Sequence, residues 1–413
     1  MAPRRTWLTE RRLAVGLSQE MLAELVEVRP NTIQNWESGR SAPVIGVRLK
    51  LAKSLRLPIE ELNERLSTET VRRSSDEEYG DDVNRREFMF NSALLALGMP
   101  ESIRQWFCSD GCPFLIEADV QSTAQACNDY LCTQDAARGG GALYELARAM
   151  LHKVQQWTEG RAGGPVGRAL EVLCCDLEIW VGWLSYDAGK PFVAQRHLQD
   201  AIIHARVIDC PEVEIRAMTV LCLVLNKLGR YRQTIQCAEA ALRIAGPSAT
   251  PRLGAVLNQR AATAFAQLGQ EAPFRQSTRR AHQHFERGPR DDDPSWLHFV
   301  TWPELVGLNG AALGVLGQSK QAEDAFRSIV EDPDPAFRRN VVYYKVQLAH
   351  AVAKQGDVRQ ASELGLELLP EVATLDSGRI DRHLRQLRHE LDRFQGNNTL
   401  AQQFAEAFDE RQR

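Results

Sequence analysis

Three amide side chains lie close together near the start of the chain: Asn31, Gln34 and Asn35. An amide carries a donor and an acceptor side by side, so one side chain can make two directed hydrogen bonds. That is chemistry of recognition rather than of bond breaking. Their setting is Pro30-Asn31-Thr32-Ile33-Gln34-Asn35-Trp36-Glu37. Pro30 suits a first helical position, where its missing N–H costs nothing. Ile33 and Trp36 are three apart and face inward, which leaves Asn31, Gln34 and Asn35 outward.

The preceding segment positions this helix. Ser18 is a good N-cap for a short helix whose apolar face is expected to be Met21, Leu22 and Leu25. Val26-Glu27-Val28-Arg29 makes a turn, and the second helix stops near Gly39. Two short helices joined by such a turn are a helix-turn-helix unit. Leu8 to Val15 supplies a helix before it, Val44 to Leu55 one after it, and Leu57 to Leu62 begins a fifth.

Residues 8–62 resemble the Cro/CI-type (XRE) repressor family. The matching residues are Leu17-Ser18-Gln19-Glu20 with Leu22-Ala23, then Thr32-Ile33-Gln34-Asn35-Trp36-Glu37-Ser38-Gly39-Arg40, Pro43, Leu51-Ala52 and Leu57. Glu27 and Arg29 depart from the family, which has Gly in the turn and Ser or Thr capping the recognition helix. The resemblance implies a five-helix lambda-repressor-like domain that binds double-stranded DNA. Asn31, Gln34 and Asn35 would read base edges in the major groove, where amides suit adenine. Ser18 and Gln19 would hold phosphate at a helix N-terminus, with Arg40 and Arg11 as further phosphate contacts. Arg29 and Thr32 complete the expected DNA-binding set. One such head makes few base contacts, so a homodimer on a two-fold operator is expected, its contacts lying elsewhere in the chain.

Behind the head the pattern becomes repetitive. Gly189, Gly229, Gly269, Gly317 and Gly356 are separated by 40, 40, 48 and 39 residues. A fixed period of this size marks a solenoid. The fifth residue after each glycine is Ala194, Thr234, Phe274, Ala322 or Ala361, and the twelfth is Ala201, Ala241, Ala281, Ile329 or Leu368. Seven before each sits Gly182, Cys222, Ala262, Gly310 or Ala349, small enough for paired helices to approach closely. Residues 170–373 resemble a degenerate tetratricopeptide-repeat array, and residues 379–394 and 398–410 would be capping helices and a plausible dimer surface.

In such arrays the first helix of each pair lines the concave side. Counting back three, six, ten and thirteen from the glycines gives Asp176, Trp183, Tyr186, Arg216, Thr219, Asn226, Gln259, Thr263, Tyr343 and His350 as groove residues. All but Asp176 form the expected ligand-binding set. Aromatic and hydrogen-bonding groups in one concavity suit a peptide or small polar molecule; a solvated groove, or one filled by the chain itself, is the alternative. Asn258, Asn309 and Lys345 fall where core residues are usual, which leaves internal satisfaction or a shifted frame open.

Bulk properties agree with a two-part protein. Residues 1–58 carry ten bases and five acids, while the remainder is net acidic, and the whole chain is at −4. A small basic head on an acidic body suits a nucleic-acid module joined to something else. The fold class is all-α: no segment alternates like a strand. The expected division is 1–66 DNA-binding domain, 67–83 polar linker, 84–141 connecting helical segment and 142–413 repeat domain. Asn84-Arg85-Arg86-Glu87-Phe88 looks like an export signal but is internal, so an amphipathic helix docked on the body is expected. Met1 precedes Ala-Pro-Arg-Arg rather than a signal peptide, and no apolar run could span a membrane, so a cytoplasmic location is expected.

Cys108, Cys112, Cys127 and Cys132 cluster, but their spacings are wider than a Cys-x2-Cys metal pair, and buried free thiols are expected rather than a metal site. No Gly-rich phosphate loop, nucleophile elbow or His-Glu-x-x-His motif occurs, the histidines are scattered, and neither enzymatic activity nor a cofactor is expected. The combination of head and array resembles the peptide-pheromone-responsive regulators of Gram-positive bacteria. It implies a DNA-binding regulator whose repeats dimerise and sense a peptide or small molecule. The alternative is a DNA-tethered adaptor whose repeats bind a partner protein.

Overall fold

The computed structural model describes residues 6–26, 28, 30–38, 43, 45–55, 57–58, 61–62, 65, 99–109, 111–159, 163–333, 337–394 and 398–411. Among the described residues every regular element is helical and no strand occurs. The chain divides into two compact units, Met1–Gly98 and Met99–Arg413. The 67–83 and 84–98 segments fall outside the described residues, as do Arg29 and Arg40.

In the first unit, α1 (Thr6–Ala14), α2 (Gln19–Leu25), α3 (Pro30–Glu37) and α4 (Ile45–Ser54) enclose one core. That core is Leu8, Leu22, Ala23, Val26, Ile33, Trp36, Leu51, Ala52, Leu55 and Leu62. Ser18 caps α2, its hydroxyl accepting the Met21 N–H at 3.1 Å. The apolar face expected for α2 needs correction. Leu22 points inward, but Met21 and Leu25 are 49% and 53% exposed. The helix carries two apolar pairs one turn apart, 21/25 and 22/26, about 100° from each other. Packing on α3 buries Leu22, Ala23 and Val26, and the other pair is left in solvent.

The second unit begins with α5 (Glu101–Phe107), α6 (Glu117–Arg138) and α7 (Gly141–Glu159). Five antiparallel hairpins follow: α8 (Gly164–Asp187) with α9 (Pro191–Val207), α10 (Pro211–Lys227) with α11 (Tyr231–Ala245), α12 (Pro251–Gln267) with α13 (Glu271–Phe285), α14 (Trp302–Val315) with α15 (Ser319–Glu331), and α16 (Arg338–Lys354) with α17 (Val358–Val372). α18 (Gly378–Asp392) and α19 (Thr399–Arg411) complete the unit by packing on α16 and α17. Their apolar residues Ile380, Leu384, Leu387, Leu391, Phe404 and Phe408 are buried within the chain.

The period glycines set these hairpins. Each sits in a three-residue connection, and all five have φ between 69° and 89°. Only glycine enters this region without a steric penalty. In the first four, the N–H two residues past the cap reaches back to the last turn, as in Lys190 to the Ser185 carbonyl at 2.8 Å and Arg230 to Leu225 at 2.9 Å. This Schellman geometry satisfies carbonyls that the helix end would leave unpaired. The positions five and twelve after each glycine, and seven before, are all buried. At Gly182 a Cβ would come within 2.7 Å of Leu198, so the small residue is what lets α8 and α9 meet.

Asn258 and Lys345 do not shift this frame. Asn258 bonds back to the Gly254 carbonyl at 2.8 Å, and Lys345 pairs with Glu371 at 2.6 Å. The Asn309 side-chain oxygen is buried without a hydrogen bond.

The array closes on itself. α6 packs on both α8 and α16, and α8 also meets α18. Of the 84–141 segment that the sequence sets apart as a connector, the part from Met99 onward falls in one compact unit with the repeat helices. Asp187 holds the closure. Its carboxylate accepts the Gly140 N–H at 3.1 Å and the Ser377 hydroxyl at 3.1 Å, with Arg339 and Arg379 at 3.5 and 3.4 Å. Burial pushes this carboxyl up, but the two guanidinium groups and the two hydrogen bonds outweigh it and hold it below its ordinary value. Gly139 fits only because it lacks a side chain: a Cβ would lie 2.6 Å from the Asp376 carbonyl oxygen.

Candidate functional sites: a helix-turn-helix surface and a walled cavity

In the head, α3 presents the three amides as its sequence suggests. Asn31 and Gln34 are exposed, and Asn35 and Thr32 are half-buried. Trp36 and Ile33 anchor the opposite face. The base of the unit is an ion pair. Arg12 on α1 meets Glu37 at the end of α3 at 2.6 Å, with both residues at least nine-tenths buried. Arg12 also donates to the Leu17 carbonyl at 2.8 Å, which ties α1 to the start of α2.

Gln19 is engaged as well: its amide donates to Glu37 at 2.5 Å. Glu37 thus fixes Gln19 relative to α3. The Arg11 Nε donates to the Leu55 carbonyl at 2.9 Å, so its side chain lies across the end of α4. Ser18 is partly exposed and acts as the cap described above.

In the body, the first helices of the hairpins and α6 enclose a cavity of about 170 Å³. Trp183, Tyr186, Arg216, Thr219 and Tyr343 from the expected groove set line it. Four others of that set do not. Asn226 donates to the Arg260 carbonyl at 3.2 Å, and Thr263 bonds back to Gln259 at 3.1 Å. Gln259 is fully buried with neither amide atom hydrogen-bonded. His350 is spanned by Glu390 at 2.8 Å and the His383 carbonyl at 2.9 Å, which makes it a bridge between α16 and α18.

The counting frame missed one position. Nine before the first four glycines stand Trp180, Val220, Arg260 and Leu308, and all four line the cavity. This offset was visible in the sequence; the others were not. The 48-residue gap between Gly269 and Gly317 holds an insertion that brings Trp296, His298 and Phe299 to the wall, anchored by buried Leu297 and Val300. Asn128, Cys132 and Asp135 come from α6, across the concave side.

α6 is bonded to that side along its length. The Asn128 amide oxygen accepts from Trp180 Nε1 at 3.2 Å and from Arg216 at 2.9 Å. Asp135 accepts from Trp183 Nε1 at 2.9 Å and from Arg339 at 2.7 Å. Between them, Cys132 Sγ lies 3.1 Å from His298 Nε2, and His298 Nδ1 lies 2.8 Å from the Ser295 carbonyl. A carbonyl can only accept, so Nδ1 holds the proton and Nε2 accepts from the thiol. Burial and the nearby Asp135 charge push that thiol up to about 11, which keeps its proton in place.

Charge in the cavity wall is dense and layered on aromatic faces. Arg216 lies over Trp180, with ring centroid 5.9 Å away, Arg339 over Trp183 at 5.2 Å, and Arg379 over Tyr343 at 4.4 Å. Asp176 meets Arg216 at 2.8 Å. Burial pushes the Tyr343 hydroxyl up to about 12, so it remains a neutral donor. Among the described residues no cluster of His, Cys, Asp and Glu is arranged to hold a metal ion, and no helix is long and apolar enough to cross a membrane. Cys127 is buried and Cys108 exposed; the described cysteines are free thiols.

Residues 8–62 match the family model of helix-turn-helix domains. No curated protein matches the chain significantly. Among solved structures, Bacillus thuringiensis PlcR in complex with the peptide PapR7 and DNA is similar over 68% of this chain and 94% of that one, at 15% identity and a TM-score of 0.30. A Rap protein complexed with competence and sporulation factor is similar over 78% and 88%, at 15% identity and a TM-score of 0.48. The apo form of RapI covers 69% and 97%, at 14% identity and 0.37. The head is a helix-turn-helix domain, and the body behind it is a closed array of helical hairpins.

Proposed function

We propose that this chain is a sequence-specific transcription regulator whose repeat body senses a peptide or small molecule and controls DNA binding by the head. The observation that carries the reading is the pairing, in one chain, of a helix-turn-helix head with a cavity walled by aromatic and charged side chains. Asn31, Gln34 and Asn35 read base edges, while Ser18, Gln19, Arg11 and Arg40 hold phosphates. The protein acts by binding and not by catalysis, as a homodimer on a two-fold operator. Control follows by linkage: a ligand that binds one arrangement of the body better than another shifts the balance between them.

A protein-binding adaptor is the less supported reading, because α6 already occupies the concave side that a partner would use. Genome-wide mapping of bound DNA supplies the operator. Operator affinity of the full chain is then measured against candidate peptides and small molecules, for the parent and for Trp183→Ala and Arg216→Ala. A ligand is expected to shift operator affinity in the parent and not in the variants. Equal shifts in parent and variants would remove the cavity from the reading, and a genome without enriched sites would remove the DNA role.

A further inference from the structure

The cavity's charges are almost all answered from within. Arg216 meets Asp176, Arg339 meets Asp135, and Arg379 meets Asp187. The Glu304 carboxylate accepts from the Tyr344 hydroxyl at 2.9 Å and from Asn340 at 3.2 Å. Arg260 is the exception. It lines the cavity and is only 6% exposed, yet its Nε has no hydrogen bond and no carboxylate among the described residues pairs with it. A guanidinium N–H removed from water and left without a hydrogen bond is costly, and such a group persists where something else repays it.

Resting on the sensor reading above, we propose that the cavity takes a small aryl carboxylate whose anionic group is held by Arg260. Charge sets the anion: a guanidinium presents a planar fork that matches a carboxylate. Size sets the rest. About 170 Å³ is small beside typical ligand pockets, and an apolar cavity of roughly 150 Å³ takes up benzene. One ring with a short acidic arm fits this volume. Trp296 and Phe299 add aromatic surface for the ring, and Ile179, Val220 and Leu308 add apolar wall.

The test uses the purified full chain with phenylacetate and indole-3-acetate, their uncharged amides, and phenethylamine. Binding is followed by calorimetry and by fluorescence of the cavity tryptophans, and stability by thermal melting. The acids are expected to bind and to raise the melting temperature, with the amides and the amine weaker by about tenfold or more. Arg260→Met is expected to lose acid binding while the free variant melts no lower than the parent. Arg260→Lys is expected to keep weakened acid binding.

An amide or amine that binds as tightly as the acid overturns the anion assignment while leaving a ligand-binding body in place. Arg260→Met that retains acid affinity overturns it too. So does a ligand-free Arg260→Met that melts well below the parent, because Arg260 would then serve the fold. Failure of both acids to bind also overturns it. The sensor reading is judged separately, on whether any bound ligand shifts operator affinity.

Discussion

The head and the body both bury charged side chains, and they do so in opposite ways. In the head, Arg12 and Glu37 form a closed pair, 25 residues apart in sequence, that also orients Gln19. The side chains that α3 exposes to solvent, Asn31 and Gln34, are neutral. In the body, charges join parts of the chain that are far apart: Arg339 to Asp135 across 204 residues, and Ser377 to Asp187 across 190. Arg260, in the cavity wall, meets no carboxylate among the described residues and its Nε has no hydrogen bond. A domain that reads an external surface can satisfy its buried charges internally. A cavity that is to take a ligand inside can hold a group unsatisfied until the ligand arrives.

The sharpest way to break this comparison is to remove one buried carboxylate from each unit. Glu37→Ala leaves Arg12 uncompensated and should cost about 3–5 kcal/mol, and Asp187→Ala should cost about the same by removing the carboxylate that pairs Arg379 and leaving Arg339 with Asp135 alone. Hydrogen exchange resolved by residue should show the first loss in residues 6–62 and the second at the junctions of α8 with α16 and α18. Loss of protection in the unit that was not altered would mean that the units do not behave as separate cores.

Acid provides the next largest effect, in the body. Burial, with His350 and nearby Lys227, Arg379 and Arg382, pushes His383 down to about 3. Its ordinary value is near 6.5, so between those limits the unfolded chain takes up a proton that the folded one refuses. Stability should therefore be unaffected by this group above about pH 7. It should then fall by up to about 1.4 kcal/mol for each pH unit through the range below 6. Urea midpoints measured from pH 7 to 4 should show the slope, and His383→Gln should flatten it. A parent midpoint that is level over that range would refute the assignment.

Recognition in the head is a smaller effect, without a fold penalty. Asn35→Ala should cost about 1–3 kcal/mol of discrimination between operator and random DNA, while salt-sensitive non-specific binding persists. Unchanged discrimination in a shift assay at fixed salt would take Asn35 out of the reading set.

The smallest effect compares two glycines of the body. Gly229 has φ of 72° and its absent Cβ would meet only the Tyr231 hydroxyl, at 3.9 Å. Gly229→Ala should cost about 1 kcal/mol from backbone strain alone. Gly139→Ala carries strain of the same kind plus a backbone clash at the closure, and should cost more. Equal melting temperatures for the two variants would show that the closure yields easily.

How much of this was legible follows from the range of the interactions. Periodicity and capping are local, so α3, its outward amides, Ser18 as a cap and the hairpins set by the period glycines could all be read along the chain. The α2 face was misassigned because Met21/Leu25 and Leu22/Val26 are equally apolar, and only packing on α3 chooses between them. In the groove, offsets from the glycines found Trp183, Tyr186, Arg216, Thr219 and Tyr343 but misplaced Asn226, Gln259, Thr263 and His350. A degenerate repeat twists from hairpin to hairpin, so one offset does not keep one orientation throughout the array.

The sequence by itself determined the elements: the helix-turn-helix head, the repeat frame and the all-α class. Each of these depends on residues a few positions apart, where spacing along the chain equals position in space. Tertiary structure alone decided that α6 lies across the concave side, that Asp187 joins the first hairpin to the last helices, and that Arg260 lines a cavity without a carboxylate partner among the described residues. Those facts depend on contacts between residues scores to hundreds of positions apart, and nothing in local spacing encodes which distant charge will meet which.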